Sequence, residues 1–201
     1  EMKDWKNDFA KLKAKDGVFS ILGNHDYGDY YNWESNKAKV ENLNELKSIQ
    51  KEMGWKLLLD EHYSIEKADQ KIALVGVENW GAGGFKQKGD LDKATRNLTE
   101  NDFKILMSHD PSHWDAVSKN HPKKIQLTLS GHTHGMQFGI DIPGWFKWSP
   151  VQFRYPQWAG IYHEAGKFIN VNRGFGYLAY PGRLGIWPEI TVIKLKRKVA
   201  A

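Results

Sequence analysis

The sequence predicts an α/β domain in which short buried strands alternate with helices along most of the chain. Two observations support this prediction. Apolar runs of strand length recur through the first two thirds of the 201 residues, bounded by glycine, serine or other turn residues. Between several of these runs, apolar side chains recur at helical spacing. Alternation of the two patterns is typical of layered α/β domains, and no linker divides the chain, so we expect one domain over residues 1–201.

The individual elements follow from apolar spacing and from end signals. The chain opens in a helix at DWKNDFAKLKAK (4–15). A second helix carries an apolar stripe over residues 40–53, is capped by Ser35 or Asn36 and is stopped by Gly54. The remaining elements of this part are a helix in LDKATRNL (91–98) and strands in GVFSIL (17–22), WKLLLD (55–60), KIALVGVE (71–78), FKILMS (103–108) and KIQLTLS (124–130).

The last third of the chain has a different character. Residues 139–160 contain three prolines among many aromatic residues, which predicts a long loop or lid. This aromatic loop is either a packed cover or, with Lys147 beside its tryptophans, a patch that docks on a membrane. GIYHEAGKFINVNRG (160–174) predicts a hairpin that turns at Ala165–Gly166, and EITVIKLK (189–196) alternates like a closing strand.

Composition limits the classes of function. Hydrophobic residues make up 40% of the chain and charged residues 26%, which is typical of a globular domain. The lack of cysteine excludes disulfides and thiolate metal sites, and no run has the length of a membrane span or the form of a signal peptide. The net charge of +5 favours a solvated surface, with an anionic substrate or a membrane surface as the alternative. No basic stripe interleaves with aromatic residues, so stable nucleic-acid binding is not expected. The basic residues cluster only near the end of the chain, at Lys194, Lys196, Arg197 and Lys198.

Three predicted strands end in polar clusters that contain histidine: SILGNHDY (20–27), ILMSHDP (105–111) and LTLSGHTHG (127–135). Ligands of open α/β sheets bind at the carboxyl ends of strands, so the three clusters are expected to converge on one site. Imidazole and amide oxygen suit divalent zinc, manganese or iron. A single histidine after a strand is more often structural, but three such clusters favour a metal site. The remaining histidines without such a context are predicted to be surface or structural residues: His62, His113, His121 and His163.

The motifs GNHD (23–26), SHDP (108–111) and GHTHG (131–135) resemble three of the five signature motifs of the calcineurin-like metallophosphoesterase superfamily. VNRGFG (171–176) and PEITVIKL (188–195) further resemble its bacterial branch of membrane-associated phosphoesterases. The resemblance implies a sandwich of two packed mixed β-sheets flanked by helices. The other two motifs, Asp-x-His and Gly-Asp-x-x-Asp, have no counterpart here. The chain is therefore expected to correspond to the carboxyl-terminal two-thirds of the domain, without its first strands.

The resemblance also implies roles for individual residues. Asn24, His109 and His132 match the ligands of one metal ion, and His134 matches a ligand of a second ion. His25 matches the histidine beside the leaving group, and Asp26 is placed to orient it.

Two weaker candidates for substrate contact come from strand ends. Arg173 could hold a phosphate through its two-pronged guanidinium, although structural pairing is the commoner role of such an arginine. Asn79 directly follows the strand KIALVGVE, at a strand end where this branch often carries acidic residues.

The implied function is hydrolysis of phosphoric mono- or diesters by a hydroxide that bridges two divalent metal ions, Mn, Fe or Zn, while His25 assists the leaving group. The substrate would be a phosphorylated small molecule or lipid, and a bacterial cytoplasmic or membrane-associated location is favoured. The alternative is a non-catalytic binding or membrane-surface protein on the same fold, because the upstream metal ligands are absent from this chain. Those ligands would then belong to a missing amino-terminal segment, which becomes an expected partner of these residues.

Overall fold

The protein is described by a computed structural model that covers residues 2–197. The described part contains ten strands: β1 (Val18–Ser20), β2 (Trp55–Leu57), β3 (Glu61–Lys67), β4 (Gln70–Gly76), β5 (Phe103–Met107), β6 (Leu127–Ser130), β7 (Ile140–Ile142), β8 (Phe146–Trp148), β9 (Gly160–Glu164) and β10 (Lys167–Val171). Its α-helices are α1 (Met2–Phe9), α2 (Asn36–Glu52), α3 (Leu91–Ala94) and α4 (Ser112–Ala116). Short 3-10 turns lie at Asn24–Tyr27, Ser118–Asn120, His134–Gln137 and Pro150–Phe153.

A six-stranded mixed sheet forms the centre of the fold. Its strand order is β3-β4-β5-β6-β10-β9, in which β4, β5, β6 and β10 are parallel and the two edge strands run antiparallel to their neighbours. The parallel strands are apolar because side chains are buried on both faces. One core cluster packs this sheet against α3 and the residues that follow it: Ala73, Val75, Val77, Leu91, Ala94, Leu98, Leu106 and Ile125.

A small second sheet packs on this central sheet. It consists of β1 and β2 in parallel, with Val18 opposite Trp55, and α2 lies against it. The approach is close at Gly76 of β4, where a Cβ atom would stand 2.4 Å from the Leu58 Cβ and 3.0 Å from Ile21. Only glycine fits there. A mixed multi-strand sheet flanked by helices confirms the predicted α/β fold class.

Most predicted elements are present, with different bounds. The first helix ends at Phe9, and the third is a single turn. The strand β3 was not predicted. It forms a hairpin with β4 around Ala68, whose φ of 53° is in the left-handed region. As an edge strand it carries the mostly polar sequence EHYSIEK, so it lacks the apolar run that marks the inner strands.

The last third departs further from prediction. The hairpin at Ala165–Gly166 is confirmed as β9 and β10. The loop 139–160 contains a short hairpin, β7 and β8, which local sequence did not indicate. The closing strand predicted over residues 189–196 is wrong, because no part of that segment pairs in a described sheet. Its apolar side chains face solvent instead, with Ile190 81% and Val192 91% exposed.

The aromatic loop contributes both to the interior and to the surface. Tyr155 and Trp158 are buried with Ile186, whereas Trp145 and Phe153 are 81% and 83% exposed. The basic cluster at the end of the chain is exposed as far as Arg197, and Lys198 lies outside the described residues. Between residues 2 and 197, no helix has both the length and the apolar character that crossing a bilayer requires.

We predict that Leu106→Ala lowers the free energy of unfolding by about 2–5 kcal/mol, because Leu106 is fully buried in the central cluster and its loss leaves a cavity. The matched control is Leu184→Ala, since Leu184 is 63% exposed and should change stability by no more than about 0.5 kcal/mol. Urea unfolding measures the change in free energy for both variants. The dependence of that free energy on urea concentration, the m value, should stay unchanged. Equal losses in the two variants would contradict this assignment of the core.

Candidate metal centre

Three strand ends bring Asn24, His109 and His132 to one point. Asn24 begins the 3-10 turn that follows β1, while His109 and His132 each lie two residues beyond β5 and β6. Because β5 and β6 are parallel neighbours, their histidines leave the sheet at the same edge, and the Gly131 N–H donates to the His109 carbonyl at 3.0 Å. The structure therefore places the three residues in one cluster.

The approach of the β1 turn to this edge depends on Gly23. A Cβ atom at Gly23 would lie 2.7 Å from the His109 Cε1, which no side chain tolerates. The turn is closed by Asp26, whose carboxylate accepts a hydrogen bond of 2.7 Å from the Gly23 N–H. Glycine at 23 and aspartate at 26 thus hold Asn24 against the histidines.

The donor atoms of the cluster form a triangle with nearly equal sides. The Asn24 Oδ1 lies 2.9 Å from the His109 Nε2 and 3.1 Å from the His132 Nδ1, and the two nitrogens are 3.1 Å apart. Two ligands at about 2.1 Å from an ion and at right angles to each other stand about 3 Å apart. The triangle fits one face of the coordination shell of a divalent ion.

The protonation state of the imidazoles also suits a metal. Burial, with smaller contributions from His132, His134 and His25, lowers the pKa of His109 to about 3. Burial likewise lowers the pKa of His132 and of His134. Near neutral pH the imidazole of His109 is therefore neutral and does not repel a cation. A neutral imidazole offers a lone pair, which is the form that binds metals.

Two further residues, Tyr155 and Asp110, orient His132. The Tyr155 hydroxyl donates to the Asp110 carboxylate at 3.3 Å and lies 2.8 Å from the His132 Nε2. Burial raises the pKa of Tyr155 to about 12, so the hydroxyl keeps its proton. Because that proton is donated to Asp110, the hydroxyl oxygen is left to accept from the Nε2–H of a neutral His132. The Nδ1 lone pair of His132 then points to Asn24 and His109. Sequence analysis did not assign these residues, since Tyr155 lies in the predicted lid, 23 residues from His132.

His134 lies beside the triangle. Its Nδ1 is buried and has no hydrogen-bond partner among the described residues. Both His132 and His134 have left-handed backbone angles, with φ of 66° and 51°. A buried polar atom without a partner is costly, and such costs are typical of functional sites. The unpartnered Nδ1 of His134 is a potential donor to a metal ion.

The pair His25–Asp26 is arranged differently from the expectation. His25 is exposed at the mouth of the site and packs on Tyr30, with ring centroids 4.4 Å apart. Asp26 makes no hydrogen bond to His25 in the described part of the chain; its carboxylate closes the turn at Gly23. Burial raises the pKa of Asp26, and the nearby His25 opposes that shift. Asp26 thus fixes the shape of the turn that carries His25.

The two weaker candidates lie in structural contacts. Asn79 is buried, and its amide donates to the Lys86 carbonyl at 3.0 Å, which holds the glycine-rich loop after β4. The guanidinium of Arg173 forms ion pairs with Asp141 and with Glu189, the latter at 2.8 Å. Both carboxylates compete with any phosphate for Arg173.

Within residues 2–197 no group of three or more His, Cys, Asp or Glu side chains is arranged around a common metal position. The triangle differs from such a group because one of its three donors is the amide oxygen of Asn24.

Comparison with known proteins identifies the family of the chain. The family model "Calcineurin-like phosphoesterase" matches residues 3–136. The uncharacterized metallophosphoesterase YkuE of Bacillus subtilis is 32% identical over 187 residues, which cover 92% of this chain and 58% of YkuE. A transmembrane protein with metallophosphoesterase domain from Bos taurus is 29% identical over 93% of this chain and 40% of its own length. The chain thus spans about half the length of these relatives.

A similar fold is found in a solved structure from Staphylococcus aureus, named as a 5'-nucleotidase in complex with alpha-ketoglutarate. The two share 13% sequence identity with a TM-score of 0.50, over 87% of this chain and 36% of that one. This likeness concerns the fold alone. The family match over residues 3–136, two thirds of the chain, shows that this chain belongs to the calcineurin-like phosphoesterase family, a family of metal-dependent hydrolases of phosphoric esters.

Proposed function

We propose that this protein hydrolyses phosphoric mono- or diesters with two divalent metal ions, Mn, Fe or Zn, and that Asn24, His109 and His132 hold one of them. The observation that carries the proposal is the triangle of donor atoms, each side about 3 Å long, made by side chains from three separate strand ends. Neutral, buried imidazoles and a fixed tautomer at His132 support the same assignment.

In this proposal His134, whose buried Nδ1 is otherwise unpartnered among residues 2–197, would hold the second ion. Divalent ions supply positive charge that stabilises the phosphoryl group and lowers the pKa of bound water. The remaining ligands, a carboxylate among them, would come from an amino-terminal segment that precedes these residues in a longer protein. Such a segment is thus a proposed partner of this chain.

The chain's own residues perform three tasks in the proposed reaction. Asn24 and the histidines fix the position of the ions, and Tyr155 with Asp110 holds His132 in the required tautomer. His25, which is exposed and lies in the same turn as Asn24, donates a proton to the departing oxygen or stabilises its charge. Asp26 closes the turn that carries His25, through the hydrogen bond that its carboxylate accepts from the Gly23 N–H.

A second candidate function is docking on a membrane surface. The exposure of Trp145 and Phe153 on the loop that also carries Tyr155 favours it. Aromatic residues in this position suit the interface of a bilayer, and a lipid phosphoester would then reach the site from that side.

The metal assignment predicts that Tyr155→Phe weakens binding of Mn²⁺ about 10- to 100-fold, because the variant no longer holds the Nε2–H of His132. Isothermal titration of the metal-free protein with MnCl₂ measures the affinity directly, without any assay of activity. Tyr177→Phe is the matched control, since Tyr177 is 64% exposed, and it should bind as the wild type does. Equal affinities of the two variants would remove Tyr155 from the site.

His25→Ala should keep its metal and lose about a hundredfold in turnover on an alkyl phosphoester, whose leaving group needs a proton. With a nitrophenyl ester the loss should be much smaller, because that leaving group departs without protonation. His163→Ala in the exposed hairpin is the control for loss of a histidine. Full activity of His25→Ala on the alkyl ester would contradict the role of His25 in assisting the leaving group.

The docking function predicts that Trp145→Ala combined with Phe153→Ala reduces sedimentation of the protein with anionic liposomes by several-fold, since both large side chains are exposed. The control is Phe175→Ala combined with Tyr177→Ala, because both side chains are exposed but lie outside the aromatic loop. If the loop variant still sediments like the wild type, the aromatic loop has no part in docking.

A further inference from the structure

Three arginines lie around the histidine cluster, and they differ in how their charge is balanced. Arg173 is neutralised by two carboxylates. Arg183 has no carboxylate partner in the described chain, but its guanidinium donates to the carbonyl oxygens of His134, Arg173 and Gly176, which uses its donors to hold the chain. Arg154 likewise has no carboxylate partner among residues 2–197, and it has fewer bonds to the protein.

Arg154 is held at the rim of the site by its neighbours. It follows the 3-10 turn Pro150–Phe153 and precedes Tyr155, which is buried and bonded to His132. Its guanidinium lies over the rings of Phe85 and Tyr155, with Cζ 5.5 Å and 5.7 Å from their centroids. Stacking of this kind fixes the plane of an arginine side chain.

Phe85 connects this arginine to the metal ligands. Its ring meets the His132 ring edge to face, with centroids 4.9 Å apart. Tyr155 touches His132 as well, at 5.3 Å between ring centroids. One aromatic ring therefore separates the guanidinium from the candidate metal centre.

The guanidinium retains donors for a ligand. The Arg154 Nη2 donates to the Gly83 carbonyl at 3.3 Å, and the side chain also interacts with the Tyr155 hydroxyl, yet the residue is exposed. Arginine offers five N–H donors in a planar fork that matches the oxygens of a phosphate or carboxylate. The Arg154 guanidinium is charged, is held in a fixed orientation and has N–H donors that no atom of the described residues uses. Such a group beside the candidate metal centre is suited to bind an anion.

We propose that Arg154 binds a second anionic group of the substrate, a few bonds away from the phosphorus atom that is attacked. The substrates would then be phosphoesters that carry a further phosphate, as in a diphosphate, in preference to simple monoesters. The inference deepens the proposed function and rests on it. Arg154 is placed here as a specificity residue, since Phe85 lies between its guanidinium and the metal ligand His132.

The test compares two non-hydrolysable probes, methylphosphonate and methylenediphosphonate, by isothermal titration into the Mn²⁺-loaded full-length protein. Wild type should bind methylenediphosphonate more tightly. Arg154→Gln should weaken methylenediphosphonate about tenfold or more and leave methylphosphonate within about twofold. Arg154→Lys keeps the positive charge but lacks the planar guanidinium. Its affinity for methylenediphosphonate should therefore lie between those of wild type and Arg154→Gln.

Arg96→Gln is the matched control, because Arg96 is an exposed arginine in a different part of the chain, after α3, and should change neither affinity. Equal weakening of both probes in Arg154→Gln would show that Arg154 acts only by packing on Phe85 and Tyr155, which overturns the inference. Unchanged binding of both probes would also overturn it while leaving the hydrolase proposal intact. If wild type binds neither probe, the proposed function fails first and this inference fails with it.

Discussion

The parallel pairing of β5 with β6 is the constraint on which the candidate site depends. In parallel strands the carboxyl ends meet at one edge, so His109 and His132 emerge side by side although 22 residues of other structure separate them along the chain. The third donor reaches this edge only because Gly23 lets the β1 turn contact the His109 ring. Removal of either condition would open the triangle, whatever its residues were.

The site concentrates groups that are unfavourable elsewhere in a protein. His109 is buried without charge, the Nδ1 of His134 has no partner in the described chain, and four residues of the GHTHGMQ stretch have left-handed angles without being glycine: His132, His134, Met136 and Gln137. Each non-glycine residue with left-handed backbone angles lowers the stability of the folded state by about 1–3 kcal/mol. The rest of the fold must stabilise them, and the buried cluster around Leu106 directly behind the strand ends supplies packing for this purpose.

The last third of the chain acts on the site through contacts that cross long sequence distances. Tyr155 bonds to His132, Arg154 lies over Phe85, and Ser149 donates to the carbonyl of Gly135 at 2.9 Å. Burial of Tyr155 and Trp158 anchors this segment, so that its exposed side chains are presented at a fixed place beside the histidines. The segment is therefore a wall of the site as well as a cover.

The sequence by itself determined the fold class, the inner strands and the identity of the three converging motifs. Buried parallel strands are apolar and end in turn residues. FKILMS and KIQLTLS therefore predict both a strand and the position of its carboxyl end. The histidines and Asn24 follow those ends directly. Chemistry that lies within a few residues of a strong local pattern is thus readable from the chain alone.

Tertiary structure alone decided the rest. The edge strand β3 lacks an apolar run because its outer side is solvated, and the segment 189–196 alternates like a strand but has no strand partner in the described sheets. Nothing local marks Tyr155 or Arg154, since their roles come from contacts with residues 23 and 69 positions away, at His132 and Phe85. Local patterns report what a residue is, whereas packing decides which residue it meets.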